Sequence, residues 1–421
     1  MRKLNKSQNW QKNFQKYLLI SFATQLFLLI LSLGGIGYSI FNYLFRSIDT
    51  FQDLTVSAMF QPLYYSPDLV ESFSQPIGPP LILYYRFLRF LIPSLNTEAI
   101  IEAPFAPVFL YLFFLFLISV FLVHKLTGSR AMTFLMCFSY PMLFLFGRGN
   151  PDNLCLILFM LTLVSLKKNR IAAAAIIGLL ASIKLPFLVL IAIFVYRKEF
   201  RLQLIALLTL LISFLIPLLS TGYGILQQLR KFGQVTQSYF NDYVLNDGGN
   251  LFNNSLYGLL KSIVFIINGR RSFTADELEI FRQNVYSFAS LIVYILILVP
   301  VSIFLIKNFK LIRNLHKFEV EVIFILILIF ILTPQVSAEY RIVFLLPVVG
   351  VLYRSQSDFV KDKFLVVLFS LLLVPKEFLF ITFQNNQFAP ITVSTLLNPF
   401  ILFLLLMRSL TILSKKSALV K

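Results

Sequence analysis

Apolar positions in this chain run together instead of alternating with polar ones. Such runs lie at 17–44, 105–124, 131–147, 153–166, 171–184, 186–196, 202–220, 285–306, 320–334, 342–353, 364–383 and 390–412. About 20 apolar residues carry a helix through the hydrocarbon of a bilayer. A helix that is apolar on every side is buried in protein or lipid. The pattern therefore predicts an all-α polytopic membrane protein of about twelve transmembrane helices. Two runs, 171–184 and 186–196, are short. Lys184 and Pro186 interrupt what would otherwise be one long helix. They predict a helical hairpin, one leg up and one leg down, with Lys184 at its tip.

With that hairpin the connecting segments alternate in charge. One side holds 1–16, 125–130, 167–170, 197–201, 307–319, 354–363 and 413–421, with clusters such as Lys167-Lys168, Arg197-Lys198 and Lys415-Lys416. Counted with Arg408 and Glu321, this side carries 24 Lys/Arg against 5 Asp/Glu, whereas the other side carries 13 against 14. Short cytoplasmic loops concentrate Lys and Arg. The expected arrangement is a cytoplasmic arm (1–16), a single membrane domain (17–412) and a basic cytoplasmic tail (413–421), with both termini inside. Two long polar excursions, 45–104 and 221–284, face outward. Within them "LILYYRFLRFLIPSL" (81–95) sets Arg86 and Arg89 among aromatics, as a helix lying in the membrane interface does. "SLYGLLKSIVFIIN" (255–268) reads as a similar or re-entrant helix.

Composition agrees. The chain has 421 residues, 58% hydrophobic and 13% charged, with mean hydropathy +0.82. Soluble domains carry about 25% charged residues. The net charge of +18 follows from loop asymmetry, so nucleic acid is not an expected partner. Cys137 and Cys155 form no CxxC or zinc spacing. The two histidines, His124 and His316, sit at cytoplasmic loop edges, which disfavours histidine-based catalysis or metal binding. No G-x-x-x-x-G-K-[ST] stretch is present to hold ATP phosphates. Neither a cofactor nor a metal is called for.

Polar groups converge on the outer side. "RSIDTFQDLTV" brings Asp49 and Asp53, "GRGNPDN" brings Arg148, Asn150 and Asp152, and the hairpin tip brings Lys184. "SAEYRIV" adds Glu339, Tyr340 and Arg341, and "NDGGNLFNNSLYG" adds Asn254. Fixed cations at the headgroup level suit a lipid-borne phosphate. A nearby carboxylate suits a general base, and Asn and Tyr suit sugar hydroxyls. The set points to group transfer from a lipid-linked phosphate. Simpler readings remain beside it: Lys184 snorkelling to the interface, Arg148 and Asp152 pairing with each other, Asp49 and Asp53 as solvated loop carboxylates. A transporter or flippase for a lipid-linked or small polar substrate is the alternative function, although no internal repeat is apparent.

The stretch 147–200 resembles the core of bacterial glycosyltransferase family 87, of the GT-C fold. Gly147, Asn150, Lys167-Lys168, Gly178 and Ile183-Lys184 carry the likeness. Upstream, Asp53, Val56, Tyr64 or Tyr65 and Pro79-Pro80 are similar to that family's first outer loop, and "NLFNNSLYGLL" (250–260) is similar to a later step. The resemblance implies a GT-C-like bundle in a bacterial plasma membrane with its site facing outward. It implies a polyprenyl-phosphate sugar donor, a hexose such as mannose, and a lipid or glycan acceptor. Transfer would invert the anomeric centre in one displacement. By this likeness Asp53, with Asp49 the other candidate, takes the acceptor proton. Lys184 and Arg148, with Arg341 a further candidate, hold the departing phosphate.

Overall fold

In the computed structural model of the chain the apolar runs fold as helices. The structure describes residues 2–33, 79–92, 105–220, 224–246, 253–307, 318–337, 339–376, 380–383 and 387–419. In chain order the helices are α1 (Arg2–Leu33), α2 (Pro80–Leu91), α3 (Phe105–Thr127), α4 (Arg130–Cys137), α5 (Tyr140–Arg148), α6 (Asp152–Lys168), α7 (Arg170–Ile183), α8 (Ala192–Tyr196), α9 (Phe200–Leu219) and α10 (Ile225–Tyr239). They continue as α11 (Leu256–Asn268), α12 (Ala275–Lys307), α13 (Glu319–Leu332), α14 (Leu345–Arg354), α15 (Asp358–Lys361), α16 (Lys363–Leu372) and α17 (Val393–Leu419). A 3-10 segment, Leu185–Ile191, joins α7 to α8, and another, Glu339–Phe344, precedes α14.

Among the described residues four helices are long and apolar enough to cross a membrane: α3, α9, α12 and α17. The pair α4 and α5 makes a fifth if its halves, bent by 53°, form one span. The chain is thus a helical multi-pass membrane protein, and among the described residues five full spans at most are found, so the expected count of about twelve is not confirmed. Several of the twelve runs fold as shorter helices, such as α7 and α16, while α11 is the short helix expected over 255–268. The bend in 131–147 has a chemical cause: Pro141, in the first turn of α5, has no N–H for the α4 carbonyls. Run 364–383 is α-helical only to Leu372. Pro375 follows, and the Lys376 ammonium donates to the carbonyls of Leu371 and Val374. Beyond it lies a two-residue antiparallel ladder, β1 (Phe380–Ile381) with β2 (Ile391–Thr392), which an all-helical expectation missed.

Two units are resolved by contacts within the chain. Unit 1 comprises 1–44, 126–142 and 242–421, and unit 2 comprises 45–125 and 143–241. In unit 1, α17 packs against α11, α13 and α16, so its polar positions Ser394, Thr395, Asn398 and Ser409 are buried. The segment expected as a polar arm is already helical. Phe14 is buried, Trp10 meets the Tyr353 ring edge-on at 5.5 Å, and Gln15 donates to the Tyr353 hydroxyl at 3.0 Å. In unit 2 the tightest pairing is α7 on α9. It depends on Gly178, where any Cβ would strike the carbonyl oxygen of Ala206.

The interface helix expected over 81–95 is α2, twelve residues long and too short to cross. Arg86 donates to the Ser220 carbonyl at 2.9 Å, fastening α2 to the end of α9. Phe87, Phe90 and Leu91 stay exposed.

Candidate functional site

The stretch 147–153 builds a tight corner. Helix α5 ends at Arg148, and Gly149 turns left-handed at φ +65°, a conformation open to glycine at little steric cost. Its N–H returns to the Phe146 carbonyl at 3.0 Å. Pro151 then directs the chain into α6. The Asn150 Oδ1 accepts from the backbone N–H of Asp152 at 2.9 Å, satisfying one of the orphan donors at a helix start. Asp152 lies in the first turn of α6 and is fully buried. The positive end of the helix dipole favours a carboxylate there.

Only Asn169 separates α6 from α7, and its Oδ1 caps α7 by accepting from Ala172 N at 3.1 Å. So short a turn makes the two helices antiparallel. The start of α6 and the end of α7 therefore lie together. At that end Pro186 withholds the N–H that would continue α7, and Lys184 is extended at φ −138°, ψ 109°. Its ammonium forms an ion pair with Asp152 Oδ1. The carboxylate that the simpler reading would pair with Arg148 is thus paired with Lys184 instead. Arg148 stands in the same corner with its guanidinium 6.0 Å from the Phe144 ring. Asp152 Oδ2 and both side-chain polar atoms of the buried Asn153 have no hydrogen-bond partner.

The hairpin's other end is also fixed. After the 3-10 segment and α8, the chain brings Glu199 back to Arg170, the first residue of α7, at 2.6 Å, with Arg197 at 3.4 Å. Lys184 therefore sits at a tip whose two legs meet at the base.

Unit 1 holds a second polar cluster around "NNSLYG" (253–258). Asn253 is its hub. Its Oδ1 accepts from Ser255 N at 3.0 Å and Ser337 N at 2.9 Å, and its Nδ2 donates to the Gln335 carbonyl at 2.9 Å. The neighbouring Asn254 donates its backbone N–H to Ser337 O at 2.6 Å. Its side chain is fully buried and makes no hydrogen bond. Arg341 donates to the Val336 carbonyl at 3.0 Å and lies 5.8 Å from the Phe330 ring. Lys261 is buried and donates to the carbonyls of Val244 and Asn246. A lysine on the buried face of α11 was readable from its i+3, i+4 placement in "SLYGLLKSIVF".

The sequence-predicted residues thus divide. Arg148, Asn150, Asp152 and Lys184 meet at one end of the α6–α7 pair in unit 2. Asn254 and Arg341 flank one segment, 336–337, in unit 1. Tyr340 is placed by its backbone in the 3-10 segment before α14. Asp49 and Asp53 lie outside the described residues.

A family model described as glycosyltransferase family 87 matches residues 99–334, more than half the chain. The match includes the α5–α6 corner, Lys184 and Asn254, and ends before Tyr340 and Arg341. No curated protein and no solved structure matches the chain.

Proposed function

The chain belongs to glycosyltransferase family 87, and from that we propose that it moves a hexose from a polyprenyl-phosphate donor to a lipid or glycan acceptor. The reaction takes place at the outer face of a bacterial plasma membrane, with both termini cytoplasmic. An acceptor hydroxyl attacks the anomeric carbon as the bond to the phosphate oxygen breaks, inverting that centre. Asp53, or Asp49 in its place, receives the acceptor proton. Lys184 and Arg148 hold the polyprenyl phosphate as it leaves. The leaving oxygen gains charge in the transition state, and fixed cations stabilise that charge more than the ground state.

The observation that supports this reading best is the Lys184–Asp152 pair. A lysine at the end of an apolar hairpin is held by a fully buried carboxylate, whose second oxygen has no hydrogen-bond partner. Asp152 here is a positioning residue: it fixes the ammonium in one place and compensates its charge until an anion arrives. The test uses the full chain in lipid nanodiscs with a polyprenyl-phosphoryl hexose and an acceptor panel. Release of polyprenyl phosphate is expected, and is abolished in Asp53→Asn or in Asp49→Asn. Release unaffected by either substitution, singly or together, removes the carboxylate mechanism.

A further inference from the structure

The buried polar cluster of unit 1 contains more hydrogen-bonding capacity than the protein uses. Both side-chain amide atoms of Asn253 are bonded, and Ser255 Oγ donates to Gln335 O at 3.0 Å while capping α11 through Gly258 N at 2.9 Å. Beside them, three side chains exposed by 1% or less keep polar atoms without any hydrogen-bond partner. These are both amide atoms of Asn254, the Ser337 hydroxyl and the Asn398 Oδ1. The three hang from segments already tied together. Asn254 N bonds Ser337 O, and Asn253 N donates to Thr395 Oγ1 at 3.3 Å, one turn before Asn398 on α17. Buried polar groups are almost always paired, and an exception asks for a partner.

From this geometry we propose that Asn254, Ser337 and Asn398 form a subsite for the ring hydroxyls of a neutral hexose. The inference rests on the glycosyltransferase reading above and names a hexose-binding place within unit 1. A primary amide offers a donor and an acceptor side by side, which matches two vicinal hydroxyls. A serine hydroxyl accepts or donates, and the Asn398 carbonyl accepts a third O–H. None of the three is ionisable, so the set recognises a polyol and not a phosphate or a cation. The hexose is either the donor's or the acceptor's.

The subsite makes two opposed predictions for one substitution. Removing an unpartnered buried polar atom relieves a desolvation penalty, so Ser337→Ala and Asn254→Leu raise the thermal unfolding midpoint in nanodiscs. The same substitutions remove ligand contacts. Saturation-transfer NMR of the full chain with methyl α-mannoside, methyl α-glucoside and methyl α-galactoside reads the second effect. Transfer to ring protons is expected in the wild type and at least tenfold weaker binding in both variants. Adding a polyprenyl-phosphoryl hexose displaces the methyl hexoside if the subsite holds the donor sugar. It leaves the methyl hexoside bound if the subsite holds the acceptor. Transfer absent from the wild type, or undiminished in both variants, overturns the proposal. Failure of the donor reading has a separate signature: the wild type releases no polyprenyl phosphate, whatever the NMR shows.

Discussion

Two carboxylate–cation pairs, one in each unit, are built on different plans. Asp362 in unit 1 caps α16 by accepting from Leu365 N at 3.0 Å, and receives Arg408 through Nε at 3.2 Å and a second nitrogen at 2.6 Å. Both side chains retain solvent contact, 16% for Asp362 and 38% for Arg408. Asp152 in unit 2 has no exposure, one ionic partner and one oxygen without a hydrogen bond. Asp362 in the first pair also has a backbone hydrogen bond and solvent contact, so it stays partnered if the arginine is lost. The second depends on a single lysine. Redundancy of this kind marks a pair that closes a structure, and dependence on one partner marks a pair held ready for something else.

Breaking the second pair gives the largest expected effect. Lys184→Ala leaves a buried carboxylate uncompensated, which costs about 3–5 kcal/mol. It also removes a preorganised cation, expected to lower turnover by roughly 10²–10³-fold. The double variant Asp152→Asn/Lys184→Met separates these. It should recover most of the thermal stability lost in Lys184→Ala while release of polyprenyl phosphate stays lowered by the same factor. Recovery of both would mean that the pair is only structural.

A smaller effect is expected from Gly178→Ala, which forces α7 away from the Ala206 carbonyl and costs about 1–3 kcal/mol by overpacking. Unfolding in detergent should show it. Turnover measured below the unfolding temperature should also fall, because Lys184 rides on the displaced helix. Gly233, with open space around its Cβ position, is the control.

The smallest effect belongs to the redundant pair. Burial works against the charge of Asp362, but the hydrogen bonds from Arg408 and Leu365 outweigh it and hold the carboxyl below its ordinary value. A depressed carboxylate stabilises the fold fully above the unfolded pKa of about 4. That stabilisation is lost as pH falls through the lower folded value. Asp362→Asn should therefore cost about 0.5–1 kcal/mol at neutral pH, flatten the acid limb of the unfolding midpoint between pH 5 and 2, and leave turnover unchanged. An unaltered acid limb would mean that other carboxylates govern it.

Much of this is legible in the sequence. The run boundaries located the helices, and the loop charges together with Pro186 located the hairpin with Lys184 at its tip. The partner of Lys184 was also within reach. Asp152 and Lys184 lie 17 and 15 positions either side of Asn169, so an antiparallel turn there brings them level. The nearer Arg148, four positions before Asp152, offers an alternative partner without that symmetry. The bend between α4 and α5 was signalled by Pro141 inside a run read as unbroken. The Asn253 hub was not legible, because its partners at Gln335, Ser337 and Thr395 lie 82 to 142 positions away. Nothing local distinguishes Asn253 from Asn254, yet one has both side-chain amide atoms bonded and the other has a side chain without any hydrogen bond.

The dimensions of the Lys184 hairpin bear on how the protein enters its membrane. Helix α7 has 14 residues, about 21 Å at 1.5 Å per residue, and the return through Leu185–Tyr196 is of similar reach. Neither leg matches a hydrocarbon slab of about 30 Å, and Lys184 opposes stable insertion of the turn. Helix α9, made later by the ribosome, has 20 residues and ranks among the full-length spans. The hairpin is then expected to wait at the insertion machinery until α9 has emerged and to leave with it as one piece. Truncating a nascent chain before residue 219 should leave Lys184 unshielded from the aqueous channel.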